Sequence, residues 1–141
     1  LHLCDRRQRQ MCIRDSLESK GDTTANLKYI KKSGMNAGLA IKPATDWKEV
    51  IPYLPLCDMV LVMTVEPGYG GQGFIPQCAD KVAMLRKYCN ENGFDKMNIQ
   101  VDGGINTATA ATVKDAGANV LVAGTYLFRA KDMKAAADAI R

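Results

Sequence analysis

His2 is the only histidine in the sequence, and its five cysteines, Cys4, Cys12, Cys57, Cys78 and Cys89, are odd in number and form no C-x-x-C pair. Neither a disulfide framework nor a zinc knuckle is signalled, so a reduced, cytoplasmic setting fits best. Long apolar runs are also missing. No stretch reaches the length of a membrane helix and the start lacks a secretory signal's apolar segment, although its arginines leave an organelle transit peptide open. Nor is there much charge of one sign. Of the net +4, half sits in the first fifteen residues, and no run interleaves aromatic with basic side chains. That argues against a nucleic-acid surface.

What is present is the balance of one globular domain: 47% hydrophobic and 24% charged residues over 141 positions. From about residue 17 onward short apolar runs alternate with longer amphipathic ones, the pattern of repeated βα units feeding a parallel sheet. Helical spacing predicts a helix from Thr23 to Ser33, stopped by Gly34, and a strand over Asn36 to Ile41. Asp46 with Glu49 forms a capping-box pattern before a short helix bearing Trp47, Val50, Ile51 and Leu54. The continuous apolar run from Met59 to Thr64 reads as a strand buried on both faces. Pro76 suits the first turn of a helix that ends at Gly93. A strand at Ile99 to Val101, a helix capped by Thr107 and ending at Gly117, a strand at Asn119 to Ala123 and a helix from Asp132 to Arg141 complete the series.

Four βα units after an initial helix suit half of an eight-unit barrel or an open doubly wound sheet. No G-x-G-x-x-G opens a helix after the first strand, whereas polar and glycine-rich residues follow every strand, which favours the barrel. A complete barrel of that kind typically needs roughly 250 residues. Residues 1–15 fit neither periodicity. Their segment MCIRDS resembles translated sequencing adapter, and the expectation is that native sequence begins near Ser16, leaving 16–141 as the folded unit.

Three loops carry candidate chemistry. Glu66 to Gln72 contains Gly68, Gly70 and Gly71, which let backbone N–H groups converge on an anion, and which equally suit a plain flexible loop. Asp102 ends a strand and is followed by Gly103 and Gly104; it reads as a mouth carboxylate or as a turn residue. Gly124 and Thr125 end the last strand, beside the Gly103–Gly104 turn. In barrels, phosphate commonly binds between the last two such loops, so a phosphorylated small molecule is the favoured ligand.

The blocks GLAIKPAT (38–45), LVMTVEPGYGGQ (61–72), VDGGI (101–105) and VAGT (122–125) together resemble the ribulose-phosphate 3-epimerase family, in its eukaryotic-type form. The resemblance implies the C-terminal half of a (β/α)8 barrel, from the end of strand four through helix eight. It also implies interconversion of D-ribulose 5-phosphate and D-xylulose 5-phosphate in pentose phosphate metabolism, through an enediolate, by two aspartates acting on opposite faces of C3. A divalent cation, zinc, iron or manganese, assists in the family, and the full-length enzymes are expected to be homo-oligomers.

By this resemblance Asp102 is a metal ligand and one of the two acid–base groups. Gly68, Tyr69, Gly70, Gly71, Gly103, Gly104, Gly124 and Thr125 contact substrate or its phosphate. Met63 lines the reacting centre, though as a residue it suits a core equally well. The family's histidine ligands and second aspartate come from strands that have no counterpart here, so the expected activity of this chain alone is negligible. Related readings are an allulose 6-phosphate epimerase and a non-catalytic phosphate-binding half-barrel. A phosphate-binding lyase or decarboxylase barrel lacks a reason for EPGYGGQ.

Overall fold

The computed structural model describes residues 12–68 and 72–141, with the side chains of all of these except Cys12 and Ile13. Five strands form one sheet: β1 (Cys12–Ser16), β2 (Asn36–Ile41), β3 (Met59–Met63), β4 (Asn98–Asp102) and β5 (Val120–Val122). All four pairings are parallel and the strands lie in chain order, β1-β2-β3-β4-β5. That order has no reversal of the kind that marks a doubly wound sheet. Because the strands are parallel, every loop that follows a strand emerges at the same edge. The candidate residues therefore share one end of the sheet.

Between the strands run α1 (Thr23–Lys32), a 3-10 helix (Trp47–Leu56), α2 (Gln77–Glu91) and α3 (Thr107–Asp115), with α4 (Gly124–Phe128) and α5 (Met133–Ile140) after β5. None of the described helices is long and apolar enough to cross a membrane. The expected short helix after β2 is 3-10 throughout because Pro52 and Pro55 remove the N–H groups that α-helical bonding would need. Its capping box is present, with Lys48 N–H donating to Asp46 Oδ1 at 3.0 Å and Asp46 N–H to Glu49 Oε1 at 3.3 Å. The cap of α3 is Asn106 and not Thr107: the Asn106 carboxamide oxygen accepts from the N–H groups of Ala108 and Thr109, leaving Thr107 as the first helical residue. An amide side chain reaches both donors at once, which explains the one-residue displacement.

The core lies on one face of the sheet. Leu39, Val60, Val62, Ile99 and Val101 are fully buried there against Leu27 of α1, Leu54 of the 3-10 helix, Leu85 of α2 and Val113 of α3. Each such side chain contributes about 1.5–3 kcal/mol by leaving water. Cys78 and Cys89 belong to the same cluster, where burial pushes their thiols up and makes them small apolar fillers.

No regular element was expected within residues 1–15 beyond the end of a strand near Ser16. The structure instead extends that strand back to Cys12, in register with β2 from Cys12 opposite Asn36 to Ser16 opposite Ala40. Backbone pairing to the edge of β2 does not depend on an alternating side-chain pattern, so periodicity could not reveal it.

Candidate functional site

Side chains alternate between the two faces of a strand, so the face opposite the core carries the odd positions of β3 and the even ones of β4 and β5. At the carboxyl edge this brings Met63, Asp102 and Val122 into one cross-strand row, Met63 opposite Asp102 and Asp102 opposite Val122. Met63 thus faces away from the core formed by Val60 and Val62 and stands beside the carboxylate. Asp102 is half-buried. Burial pushes its carboxyl above the ordinary aspartate value, and the Arg14 guanidinium offsets part of that rise.

The turn after Asp102 is fixed from two sides. The Thr64 N–H donates to the Asp102 carbonyl at 2.9 Å, and the fully buried Thr64 Oγ1 donates to the Gly103 carbonyl at 2.6 Å. Gly103 and Gly104 both have positive φ, 122° and 65°. A Cβ on Gly103 would lie 2.4 Å from Val65 Cγ2, and one on Gly104 would lie 2.5 Å from the backbone nitrogen of Phe74. The two glycines are therefore required by the packing of the turn itself, whatever else they touch. Thr109 Oγ1 donates to the Gly104 carbonyl at 3.0 Å and ties the turn to α3.

The long loop after β3 closes on itself. Gln72 Nε2 donates to the Glu66 carbonyl at 2.5 Å, and Ile75 N–H returns to the Thr64 carbonyl at 2.9 Å. Gly68 has φ 146° and open space where a Cβ would be. Tyr69, Gly70 and Gly71, singled out from the sequence, lie outside the described residues. After β5, Gly124 and Thr125 start the single-turn helix α4 and are both exposed. Tyr126 Oη and Thr107 Oγ1, 2.7 Å apart, hold α4 against the start of α3.

These loops surround an open cleft of about 1100 Å³. Met63, Gly68, Asp102, Gly103, Gly104, Gly124 and Thr125 all line it, so every described candidate residue converges on one place. Sequence reasoning passed over other lining residues, among them Phe74, Asn106, Thr109, Tyr126 and Arg129. Arg129 was within reach of inference: it stands four residues after Thr125, the spacing that shares a helix face, once a helix at 124–128 is recognised.

Among the described residues no three His, Cys, Asp or Glu side chains converge as metal ligands. Asp102 therefore belongs to no set of three protein ligands such as a catalytic zinc site uses. These residues by themselves do not fit a metal centre.

A parallel sheet with loop-built walls around a half-buried acid at the strands' carboxyl ends makes this an α/β protein with a cleft where such folds commonly place small-molecule sites. Within that class, the sequence profile of the ribulose-phosphate 3 epimerase family matches residues 7–128, and the chain belongs to that family. Relatives include ribulose-phosphate 3-epimerase from Schizosaccharomyces pombe, 48% identical over 100 residues, covering 71% of this chain and 42% of the yeast protein. The Escherichia coli ribulose-phosphate 3-epimerase is 37% identical over 124 residues, covering 88% of this chain and 55% of its own. The chain spans about half the length of the curated relatives it matches. Among solved structures, 3-hexulose-6-phosphate synthase superposes with a TM-score of 0.65 at 19% identity, over 92% of this chain and 60% of that one, a likeness of fold.

Proposed function

We propose that the chain is the phosphate-holding, acid-bearing part of a ribulose-phosphate 3-epimerase, its five strands forming the arc of a (β/α)8 barrel from strand four to strand eight. The observation that carries this reading is the row of Met63, Asp102 and Val122 at the carboxyl edge, where barrel enzymes place their chemistry. A pentulose phosphate lies with its C3 above Asp102 and its phosphate towards the turns at Gly103–Gly104 and Gly124–Thr125. Gly68, which lines the same cleft, adds a further backbone approach. Met63 gives an apolar, polarisable wall beside the reacting carbon.

Asp102 exchanges the C3 proton on one face of the sugar. Its burial favours the protonated carboxyl, which suits a group that must hand a proton back as well as take one. Inversion at C3 needs a second acid–base group on the opposite face. The described residues do not make a metal site. On this reading the chain alone turns over ribulose 5-phosphate at background rate.

The test is a chimera in which the first half of the S. pombe enzyme precedes this chain. Epimerisation of D-ribulose 5-phosphate is expected and Asp102→Asn should abolish it. Full activity with Asn at this position would overturn the assignment, and preference for allulose 6-phosphate would redirect it.

A further inference from the structure

A phosphate monoester is close to a dianion at neutral pH, and a cleft that already contains carboxylates repels it. Glu66 and Asp102 both line this cleft. Glycine turns offer N–H dipoles but no full charge. Among the described lining residues only Arg129 is cationic. It occupies the C-cap of α4, with its N–H bonded to the Thr125 carbonyl at 3.1 Å, one helical turn from a residue at the proposed phosphate end. Its side chain makes no hydrogen bond or ion pair with any described residue and is exposed. The hydrogen bond between Tyr126 and Thr107 fixes the helix that presents it.

We propose that Arg129 is the charge partner of the substrate's phosphate, and so selects phosphorylated sugars over free ones. This rests on the reading of the cleft as a sugar-phosphate site. A guanidinium is always charged and forms two parallel bonds to phosphate oxygens, so it keeps its grip across the pH range in which the ligand's second proton is lost. Unpaired with any described residue, it gives up no ion pair among them when the ligand arrives. The backbone turns then orient the phosphate while Arg129 sets its affinity.

Titration calorimetry of the purified chain with inorganic phosphate and with D-ribulose 5-phosphate tests this. Loss of a charge-assisted contact should weaken binding by about tenfold or more in Arg129→Gln. Arg129→Lys should recover part of the loss, having the charge without the fork. The wild-type affinity should also fall with added salt more steeply than that of Arg129→Gln, and exceed it most above about pH 6, where phosphate carries its second charge. Lys131→Gln, which removes a nearby cation that does not line the cleft, should bind as wild type. Equal phosphate affinity and salt dependence in wild type and Arg129→Gln would overturn the role of Arg129 alone. No binding by the wild-type chain would overturn the phosphate reading of the cleft with it.

Discussion

The hydroxyl of Thr64 and the carbonyl of Gly103 meet at 2.6 Å, so the last residue of one strand's core run fixes the turn that follows the acid on the next strand. Thr64 has no exposed surface, and Gly103 is half-buried. Replacing it by the isosteric valine leaves the Gly103 carbonyl without its donor. Thr64→Val should cost about 1–3 kcal/mol of stability, and Thr64→Ser should retain most of it. Urea unfolding of the three proteins checks this, and a valine variant as stable as wild type would mean that water replaces the hydroxyl.

The neighbouring glycines should respond differently to the same substitution. In Gly103→Ala the new methyl collides with the Val65 side chain, whereas in Gly104→Ala it collides with the Phe74 backbone. A side chain can be trimmed and a backbone cannot. Val65→Ala should therefore recover part of the stability lost in Gly103→Ala, the remainder being the strain of alanine at φ 122°. The same second change should do nothing for Gly104→Ala. A double-mutant cycle of unfolding free energies reads the coupling, and equal rescue at both positions would place the strain elsewhere.

How much of this was legible in the sequence follows from which forces acted locally. Runs such as Met59 to Met63 announced themselves because burial against helices demands apolar residues in succession. The Asp46–Glu49 box was equally visible, being a contact within one turn. Asp102 could be placed at a strand end, but its row with Met63 and Val122 could not, because register is set between strands and one residue of slip reverses every side chain. The strand at Cys12–Ser16 was hidden for a related reason: an edge of unpaired backbone accepts a sequence with no alternation. From the sequence the glycines at 103 and 104 suggest substrate or phosphate contacts, while the collisions with Val65 and Phe74 depend on residues some thirty to forty positions away.

The loop Lys42–Thr45 is clamped from both sides by charges distant in sequence. Lys81 Nζ donates to the carbonyls of Lys42, Pro43 and Thr45, at 3.0, 2.8 and 2.5 Å. Glu18 accepts from the Lys42 N–H at 2.9 Å and from Thr45 Oγ1. Burial alone would raise the Glu18 carboxyl, but bonds from Thr45, Lys42 and Ser16 outweigh it and hold the group below its ordinary value. A carboxyl depressed in the folded state stabilises above its unfolded pKa, and that stabilisation is lost as pH falls through the folded value. Lys81→Met should speed amide hydrogen exchange at Lys42, Ala44 and Thr45 at neutral pH. Glu18→Gln should do so at Lys42 and Thr45, with wild type approaching it on acidification. Unchanged exchange in both variants would show that the loop is held by its packing alone.

Asp102 should show the opposite pH dependence. Its folded carboxyl lies above the ordinary value, first because of burial, with Arg14 offsetting part of the rise. The native state then binds the proton more tightly than the unfolded chain, so stability falls as pH rises from the ordinary aspartate range through the folded value. Asparagine at this position has no charge to desolvate. Asp102→Asn should therefore be the more stable protein at neutral pH, and its advantage should shrink to nothing below about pH 3.9, where aspartate is protonated in both states. Urea midpoints across that range, at constant ionic strength, measure the difference. A constant offset at every pH would assign the effect to the amide's hydrogen bonding, whereas a gain confined to neutral pH identifies a carboxylate that the fold holds at a cost, as an acid–base group would require.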